Sequence, residues 1–295
     1  MQLKIIDAHT HAHFSGFDGD RDEVIARACG AGIGMVNVGT DKKTSAAAIA
    51  LAEGREGLWA TVGLHPIHTS PSFHDEDEGE DEPESEFDYG HYLALAKHPK
   101  VVAIGECGFD YFHLEDVVHP EGVRHPDELK KRQETAFLAQ IKLAHEVGKP
   151  LMLHCRSSAD GAMNAYRDMI DLLKTINYKL KTPPGISHFF SGSIDEAKEL
   201  LDMGFYFTFG GAITLPKRAG GADFEALIRV MPEERILIET DAPYVAPLKY
   251  RGKRNEPLYV EEVVKKLAEF RGISVPEMER ITLENTKRIF DLKIN

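Results

Sequence analysis

Short apolar runs alternate with amphipathic stretches along the whole chain, and this alternation restricts the fold more than any other feature. Eight runs rich in Val, Ile, Leu and Phe predict buried strands at residues 4–9, 35–40, 58–64, 101–106, 151–155, 185–190, 205–210 and 236–241. Their continuous apolar character is typical of parallel strands covered on both faces. Segments between them, such as RDEVIARACGAG and FEALIRVM, predict helices. The sequence therefore predicts an α/β protein built on a parallel sheet.

The chain has 295 residues, 42% of them apolar, which suits a single domain of barrel size spanning 1–295. A (β/α)8 TIM barrel and an open doubly wound sheet both fit the alternation. We favour the barrel because polar residues recur at the same end of most strands, and barrel enzymes place their chemistry at that face. No G-x-G-x-x-G or P-loop pattern marks the switch point of an open sheet. Two extra C-terminal helices are expected at about 257–271 and 276–290.

Two connections, 66–88 and 110–128, are longer than ordinary loops and are expected at the barrel mouth. The first holds DEDEGEDEPESEFD at 75–88, with ten acidic residues and no basic one. We expect a mobile, solvated acidic insertion in which nothing is buried and which can contact a basic partner. For the three histidines of the second loop, solvated positions are favoured over a further metal site; they are His113, His119 and His125.

The formal charge of -13 argues against a nucleic-acid partner, because phosphate contacts need Lys and Arg. Ten of the negative charges lie in 75–88, however, so the remainder carries about -3 and can present a local basic rim. The three cysteines lack C-x-x-C spacing and indicate neither a disulfide framework nor a zinc-cysteine site. No apolar stretch approaches the roughly 20 residues that span a bilayer, and no leader pattern precedes the first run. We therefore expect a cytoplasmic protein with no membrane contact.

Histidines and carboxylates close five of the apolar runs. The six residues are His9, His11, Glu106, His154, His188 and Asp241. Imidazole and carboxylate together suit Zn, Mn or Mg ions. For any one of these residues, a packed histidine or a carboxylate paired with a basic side chain is an adequate explanation. The repetition of the same ending on five runs favours a two-metal hydrolytic centre. Asp241 could both ligate a metal and accept a proton from water, whereas Glu239, deeper on the same face, is expected to orient a ligand.

The chain resembles the TatD family of metal-dependent hydrolases, within the amidohydrolase-like barrels. The resemblance rests on DAHTHAHF, VGLHP, GECGFDY, PLMLHCR, HFFSGSIDEAKELLDMGFYFTFGGAIT, ILIETDAPY and RGKRNEP, which spread over nearly the whole chain. It implies a (β/α)8 barrel, two divalent ions, and deoxyribonuclease or 3′ to 5′ exonuclease activity. By position, it further implies roles for seven residues: one metal on His9, His11 and Asp241, a second on His154 and His188, Glu106 bridging them, and His65 approaching the substrate phosphate.

This chain departs from the usual family pattern in three places. HCRSS replaces the more common H-x-R-D-A, HFF replaces HCF, and the loops 66–88 and 110–128 are unusually long. The first two changes leave the implied ligands intact. The long loops are expected to change the shape of the substrate groove.

The mechanism expected from these residues is hydrolysis of a phosphodiester, with DNA the favoured substrate, by water activated between two metal ions. Glu106 and Asp241 would be catalytic, and Arg156, on the face of His154, could bind a phosphate oxygen. After the eighth run, PLKYRGKRNEP supplies Arg254 and Asn255 as further candidates for substrate binding. Two alternatives remain open: hydrolysis of an amide or a tRNA ester by the same centre, and a metal-stabilised scaffold whose acidic insertion recruits a basic partner.

Overall fold

Eight parallel strands form one sheet in which each strand neighbours the next along the chain. The computed structural model describes residues 2–70, 76–79, 84, 86–112, 114, 126–176, 184–217 and 221–294. The strands are β1 Ile5–Thr10, β2 Ile33–Val38, β3 Leu58–Val62, β4 Val101–Asp110, β5 Leu151–Arg156, β6 Gly185–Ser187, β7 Tyr206–Phe209 and β8 Ile236–Ile238. With helices between the strands, this is the predicted TIM barrel, so the fold prediction is confirmed.

Hydrogen bonds just beyond the end of β8 join the last strand region to the first. The amide of Asp241 donates to the His9 carbonyl at 2.9 Å, and the amide of His11 donates to the Ala242 carbonyl at 2.8 Å. These bonds complete the ring of strands at its carboxyl end. They also place the polar residues that follow β8 directly beside those at the end of β1.

Nine α-helices lie in the described part of the chain. They are α1 Arg21–Gly30, α2 Lys42–Ala52, α3 Tyr89–Ala96, α4 Pro126–Val147, α5 Ala165–Thr175, α6 Ile194–Asp202, α7 Phe224–Val230, α8 Val260–Arg271 and α9 Val275–Ile289. The last two are the predicted C-terminal helices; α8 begins later than predicted because 257–259 form a 3₁₀ turn. Among the described residues, no helix combines the length and the apolar character needed to cross a membrane.

Strand β5 shows how the barrel divides its side chains between two layers. Leu151, Leu153 and Cys155 join the apolar layer between the barrel and the helices. Met152 packs in the separate apolar cluster to which the other strands contribute their alternate residues, and His154 follows it on the same face. The two-residue repeat of a strand therefore carries its polar residues into the carboxyl end of the barrel interior.

Three strands end three or four residues away from the predicted position, whereas the other five end within two residues of it. Strands β6 and β8 stop at Ser187 and Ile238, although apolar runs were predicted to extend to 190 and 241. The backbone turns away soon afterwards, since Phe189 and Asp241 have φ angles of 46° and 57°, outside strand geometry. Strand β4 instead continues to Asp110, beyond the predicted end at 106.

The acidic insertion also differs, because the expectation that nothing in it is buried is wrong for the residues described. Glu78 is 8% exposed, and its side chain accepts hydrogen bonds from Thr40 Oγ1 and His68 Nε2. Glu84 accepts from the Tyr92 hydroxyl at 2.9 Å. Buried carboxylates require such partners. The three loop histidines, His113, His119 and His125, lie outside the described residues.

Candidate metal centre

Four side chains converge at the carboxyl end of the barrel, and they are His9, His11, Glu106 and Asp241. The Nε2 atoms of His9 and His11 lie 3.1 Å apart, and Glu106 Oε2 lies 3.4 Å and 3.9 Å from them. Asp241 Oδ1 lies 3.6 Å from His9 Nε2 and 3.4 Å from His11 Nε2. Ligands about 2.0 Å from a tetrahedral ion stand about 3.3 Å from one another. These separations therefore fit four ligands of a single ion.

The other carboxylate oxygen of Glu106 faces a second group of imidazoles. Glu106 Oε1 lies 2.8 Å from His154 Nδ1 and 3.5 Å from the Nε2 atoms of both His188 and His65. His154 in turn pairs through Nε2 with Asp110 Oδ2 at 2.9 Å. One carboxylate thus presents its two oxygens to two different clusters of nitrogen ligands.

The imidazoles are fixed in orientation by bonds to their remaining ring nitrogens. His188 Nδ1 pairs with Glu239 Oε2 at 2.9 Å, and Glu239 Oε1 accepts the Phe189 amide at 2.9 Å. His11 Nδ1 lies 2.7 Å from the Val38 carbonyl oxygen, to which it can donate. Histidines that bind metals are usually oriented by such bonds. The arrangement of donors is therefore already set by the protein.

Two of the imidazoles hold protons strongly when only protein groups surround them. Burial disfavours the charged ring of His188, but the carboxylates of Glu239 and Glu106 outweigh it and raise its pKa to about 10. Burial acts in the same direction on His154, where the hydrogen bonds to Asp110 and Glu106 raise the pKa to about 9. These rings would have to release protons before they could ligate a metal.

The central carboxylate stays ionised. Burial alone would raise the pKa of Glu106, but the imidazoles of His65, His9 and His188 hold it well below its ordinary value. For His65, burial and the neighbouring His154 lower the pKa to about 4. The site therefore places a neutral imidazole, that of His65, beside a charged central carboxylate.

The backbone around the centre is strained at three positions. Phe189, Asp241 and Val245 have positive φ angles of 46°, 57° and 43°. This region is uncommon for residues other than glycine, and bulky or β-branched residues in it are outliers. Such strain is concentrated at functional sites in proteins. At Phe189 the amide is held by both Thr208 Oγ1 and Glu239 Oε1, at 3.0 Å and 2.9 Å.

A cavity of about 540 Å³ opens over the centre, within the range of small-molecule sites. Its walls combine the candidate ligands with apolar side chains and three further charged residues. The apolar members include Phe14, Phe189, Tyr244 and Val245, and the three charged residues are Glu78, Asp110 and Arg156. The cavity is therefore lined on one side for metal ligation and on the others for an organic substrate.

The structure brings the six predicted ligands together and places His65 and Arg156 on the same cavity. Arg156 stacks its guanidinium 3.7 Å from the centre of the Phe112 ring. Arg254 lies elsewhere: its Nη2 donates to both carboxylate oxygens of Asp20, at 2.8 Å and 2.7 Å. Lys249 of the same basic stretch pairs with Glu262 at 3.0 Å. Arg254 therefore pairs with the residue that precedes α1, outside the lining of the cavity, and its substrate contact stays a prediction.

Asn255 is fully buried and does not line the cavity, and its predicted substrate contact likewise stays a prediction. Its Nδ2 donates to the carbonyl oxygens of Thr240 and Tyr244, at 2.8 Å and 2.7 Å. Its Oδ1 accepts the amide of Glu256 at 3.0 Å. Asn255 therefore stabilises the turn that carries Asp241 through bonds to the backbone.

Replacing Asn255 by Ala is expected to lower the free energy of unfolding by about 2–4 kcal/mol, because two buried carbonyls lose their donor. The denaturant midpoint measures this loss. Asn255→Asp keeps the volume but removes the donor, so it should be destabilised to a similar extent. A variant with unchanged stability and only a raised KM would instead support the predicted substrate contact.

Sequence reasoning missed Asp110 and Glu78. Asp110 lies four residues after Glu106 on the same extended strand, so its position on the same face could have been read from the two-residue repeat. Because the strand was predicted to end at 106, Asp110 was not placed on the same face as Glu106. Glu78 carries no comparable signal, because nothing distinguishes it from nine other acidic residues in the same segment.

Comparison with known proteins gives consistent matches over nearly the whole chain. Residues 6–291 match the family described as TatD related DNase. A metal-dependent hydrolase of Bacillus subtilis, YabD, is 33% identical over 97% of this chain and 98% of its own. The protein named 3′-5′ ssDNA/RNA exonuclease TatD in Cronobacter sakazakii is 36% identical over 94% of each chain. The crystal structure of YJJV, a TatD homolog from Escherichia coli, superposes with a TM-score of 0.79 at 28% identity, covering 99% of this chain and 100% of the other.

Proposed function

Since the chain belongs to the TatD related DNase family of metal-dependent hydrolases, we propose that it removes nucleotides from the 3′ end of single-stranded DNA with two bound divalent ions. The observation that carries this proposal is the position of Glu106. Its Oε2 faces His9 and His11, while its Oε1 faces His154 and His188. A carboxylate between two sets of imidazoles is suited to bridge two ions.

The donor set supports occupation by metal on its own chemistry. His9, His11 and Asp241 would hold one ion, His154 and His188 the other, and Glu106 both. The Nε2 atoms of His9 and His11 lie 3.1 Å apart and both face Asp241 Oδ1, so a cation placed among them would meet two imidazole nitrogens and a carboxylate oxygen. Imidazole and carboxylate ligands are compatible with Zn, Mn or Mg, and the sequence gives no preference among them.

Bound ions would lower the pKa of an attacking water and neutralise charge on the phosphoryl oxygens. Asp241, held by its turn beside His11, would accept the proton that the water loses. Arg156 has donors suited to a non-bridging phosphate oxygen. His65, the neutral imidazole on the cavity wall, would approach the phosphate as a hydrogen-bond donor. The protein thus supplies proton acceptance and phosphate positioning.

The direct test uses a single-stranded oligonucleotide labelled at its 5′ end. Protein stripped of metal by a chelator should be inactive, and Mg, Mn or Zn added singly should restore a ladder of products that shorten from the 3′ end. Cleavage rates on duplex DNA and on RNA of the same sequence show which substrate the enzyme prefers. If no divalent ion restores cleavage of any nucleic acid, phosphodiester hydrolysis is wrong, and amide or tRNA ester substrates become the next candidates.

Metal binding is expected to release protons at neutral pH. His188 and His154, with pKa values of about 10 and 9 in the metal-free protein, are protonated at pH 7 and must become neutral to ligate. Apparent metal affinity should therefore rise with pH up to about 9–10. Calorimetric titrations at pH 7 in buffers of different ionisation enthalpy count the protons released. A binding enthalpy that is the same in every buffer would contradict this linkage.

A further inference from the structure

One carboxylate from the acidic insertion lies in the wall of the candidate active-site cavity. Glu78 is held through Oε1, which accepts from Thr40 Oγ1 and from His68 Nε2 at 2.9 Å. The hydrogen bonds found among the described residues leave Glu78 Oε2 without a partner. The residue is 8% exposed, so this remaining oxygen belongs to a largely desolvated charge that lines the cavity.

The backbone around Glu78 is docked onto the barrel. Ser15 Oγ donates to the carbonyls of Glu76 and Asp77, at 3.2 Å and 3.0 Å, and the Gly16 amide donates to the Asp77 carbonyl at 3.0 Å. Thr40, one of the Glu78 partners, lies just beyond β2, and its carbonyl accepts the amide of His65 at 2.7 Å. Glu78 is therefore fixed on the side of the cavity formed after β2 and β3.

The cavity wall carries opposite charges at two positions. Arg156 lies at the end of β5, and Glu78 stands beside the ends of β2 and β3, which are three and two strands away from β5. Asp110, which also lines the cavity, is paired with His154. A polynucleotide brings one negative charge per nucleotide, so its phosphates favour the Arg156 side. The Glu78 side favours a part of the substrate that carries no phosphate and can donate a hydrogen bond.

We propose that Glu78 is a specificity-determining residue that accepts a hydrogen bond from the free 3′-hydroxyl of the terminal nucleotide and excludes an end that carries a 3′-phosphate. The inference rests on the proposed 3′ exonuclease function. An ionised carboxylate accepts hydrogen bonds but cannot donate them, and it repels a phosphate at short range in a partly desolvated cavity. The residue sets which chain end enters the cavity.

The test compares two 5′-labelled oligonucleotides that differ only in a 3′-hydroxyl or a 3′-phosphate. The wild type should cleave the hydroxyl end faster by about tenfold or more. Glu78→Gln keeps the side-chain volume but removes the charge, and should bring the ratio of the two rates close to one. Glu76→Gln makes the same change of charge two residues away on an exposed side chain, and should leave the wild-type ratio in place.

A ratio measured on one preparation does not depend on the fraction of protein that is folded. An unchanged ratio in Glu78→Gln, or an equal loss of both activities, would overturn the inference. A binding experiment without turnover tests the role of Glu78 independently of the proposed exonuclease function. Thymidine 5′-monophosphate and thymidine 3′,5′-bisphosphate are added separately, and the shift that each causes in the thermal midpoint is compared. Preference for the monophosphate that disappears in Glu78→Gln supports the role of Glu78 even if no exonuclease activity is found. Equal shifts by both ligands in the wild type would refute it.

Discussion

Replacing Glu106 by Gln should lower turnover by about a thousandfold, the largest catalytic effect expected from any single substitution in this chain. The amide that replaces the carboxylate has one oxygen and no charge, so it cannot face both His9 and His154 as an anion does. Both candidate ions would lose a ligand, and the imidazoles of His9 and His154 would lose the negative charge of the carboxylate beside them. Metal content should therefore fall together with activity.

The measurement combines single-turnover rates with metal analysis of the purified protein. Glu239→Gln provides a graded comparison, because Glu239 orients His188 and holds the Phe189 amide, and changes of a residue that orients a ligand weaken metal binding about 10–100-fold. Thermal unfolding of each variant shows whether it is folded. If Glu106→Gln kept its full complement of metal and lost less activity than Glu239→Gln, the bridging role would be wrong.

The fold and the family could be predicted because both depend on patterns that extend through the chain. Eight apolar runs fix the number of strands, and polar residues at their ends fix the face on which they meet; the barrel and the TatD-family hydrolase are both confirmed. The ligand assignments stay predictions, although the six side chains do converge. Their convergence follows from the parallel order of the strands, which places every carboxyl end at one mouth.

Roles that depend on the path of a loop could not be predicted in the same way. Arg254 and Asn255 follow the run that ends near Asp241, and their sequence position suits a substrate contact equally well. The structure turns Arg254 toward Asp20 and buries Asn255 under the turn. Glu78 is the opposite case: the acidic composition of 75–88 predicts a solvated segment, yet this one carboxylate is buried. Composition averages over a segment, whereas burial is decided residue by residue through long-range contacts.

Replacing Gly108 by Ala should lower the free energy of unfolding by about 4 kcal/mol or more and the thermal midpoint by roughly 10 °C, although the change adds only one methyl group. Gly108 has a φ angle of 135°, which side chains other than glycine rarely permit. A Cβ atom there would lie 2.2 Å from the His154 carbonyl oxygen. Strands β4 and β5 would have to separate at the position where they present Glu106 and His154, so activity should fall in the protein that still folds.

Thermal unfolding of variants at two other glycines distinguishes the two causes of this effect, which are backbone strain and steric contact with the neighbouring strand. Gly161 also has a positive φ, 73°, but a Cβ atom there meets nothing within 4 Å, so Gly161→Ala should cost only about 1–2 kcal/mol. Gly19 has neither constraint, and Gly19→Ala should leave stability nearly unchanged. Equal losses of unfolding free energy in Gly108→Ala and Gly161→Ala would show that backbone strain alone accounts for the effect, without a contribution from the contact between β4 and β5. A larger loss in Gly108→Ala means that the glycine following Glu106 and Cys107 is required for the close approach of β4 to β5, which sets the distance between Glu106 and His154.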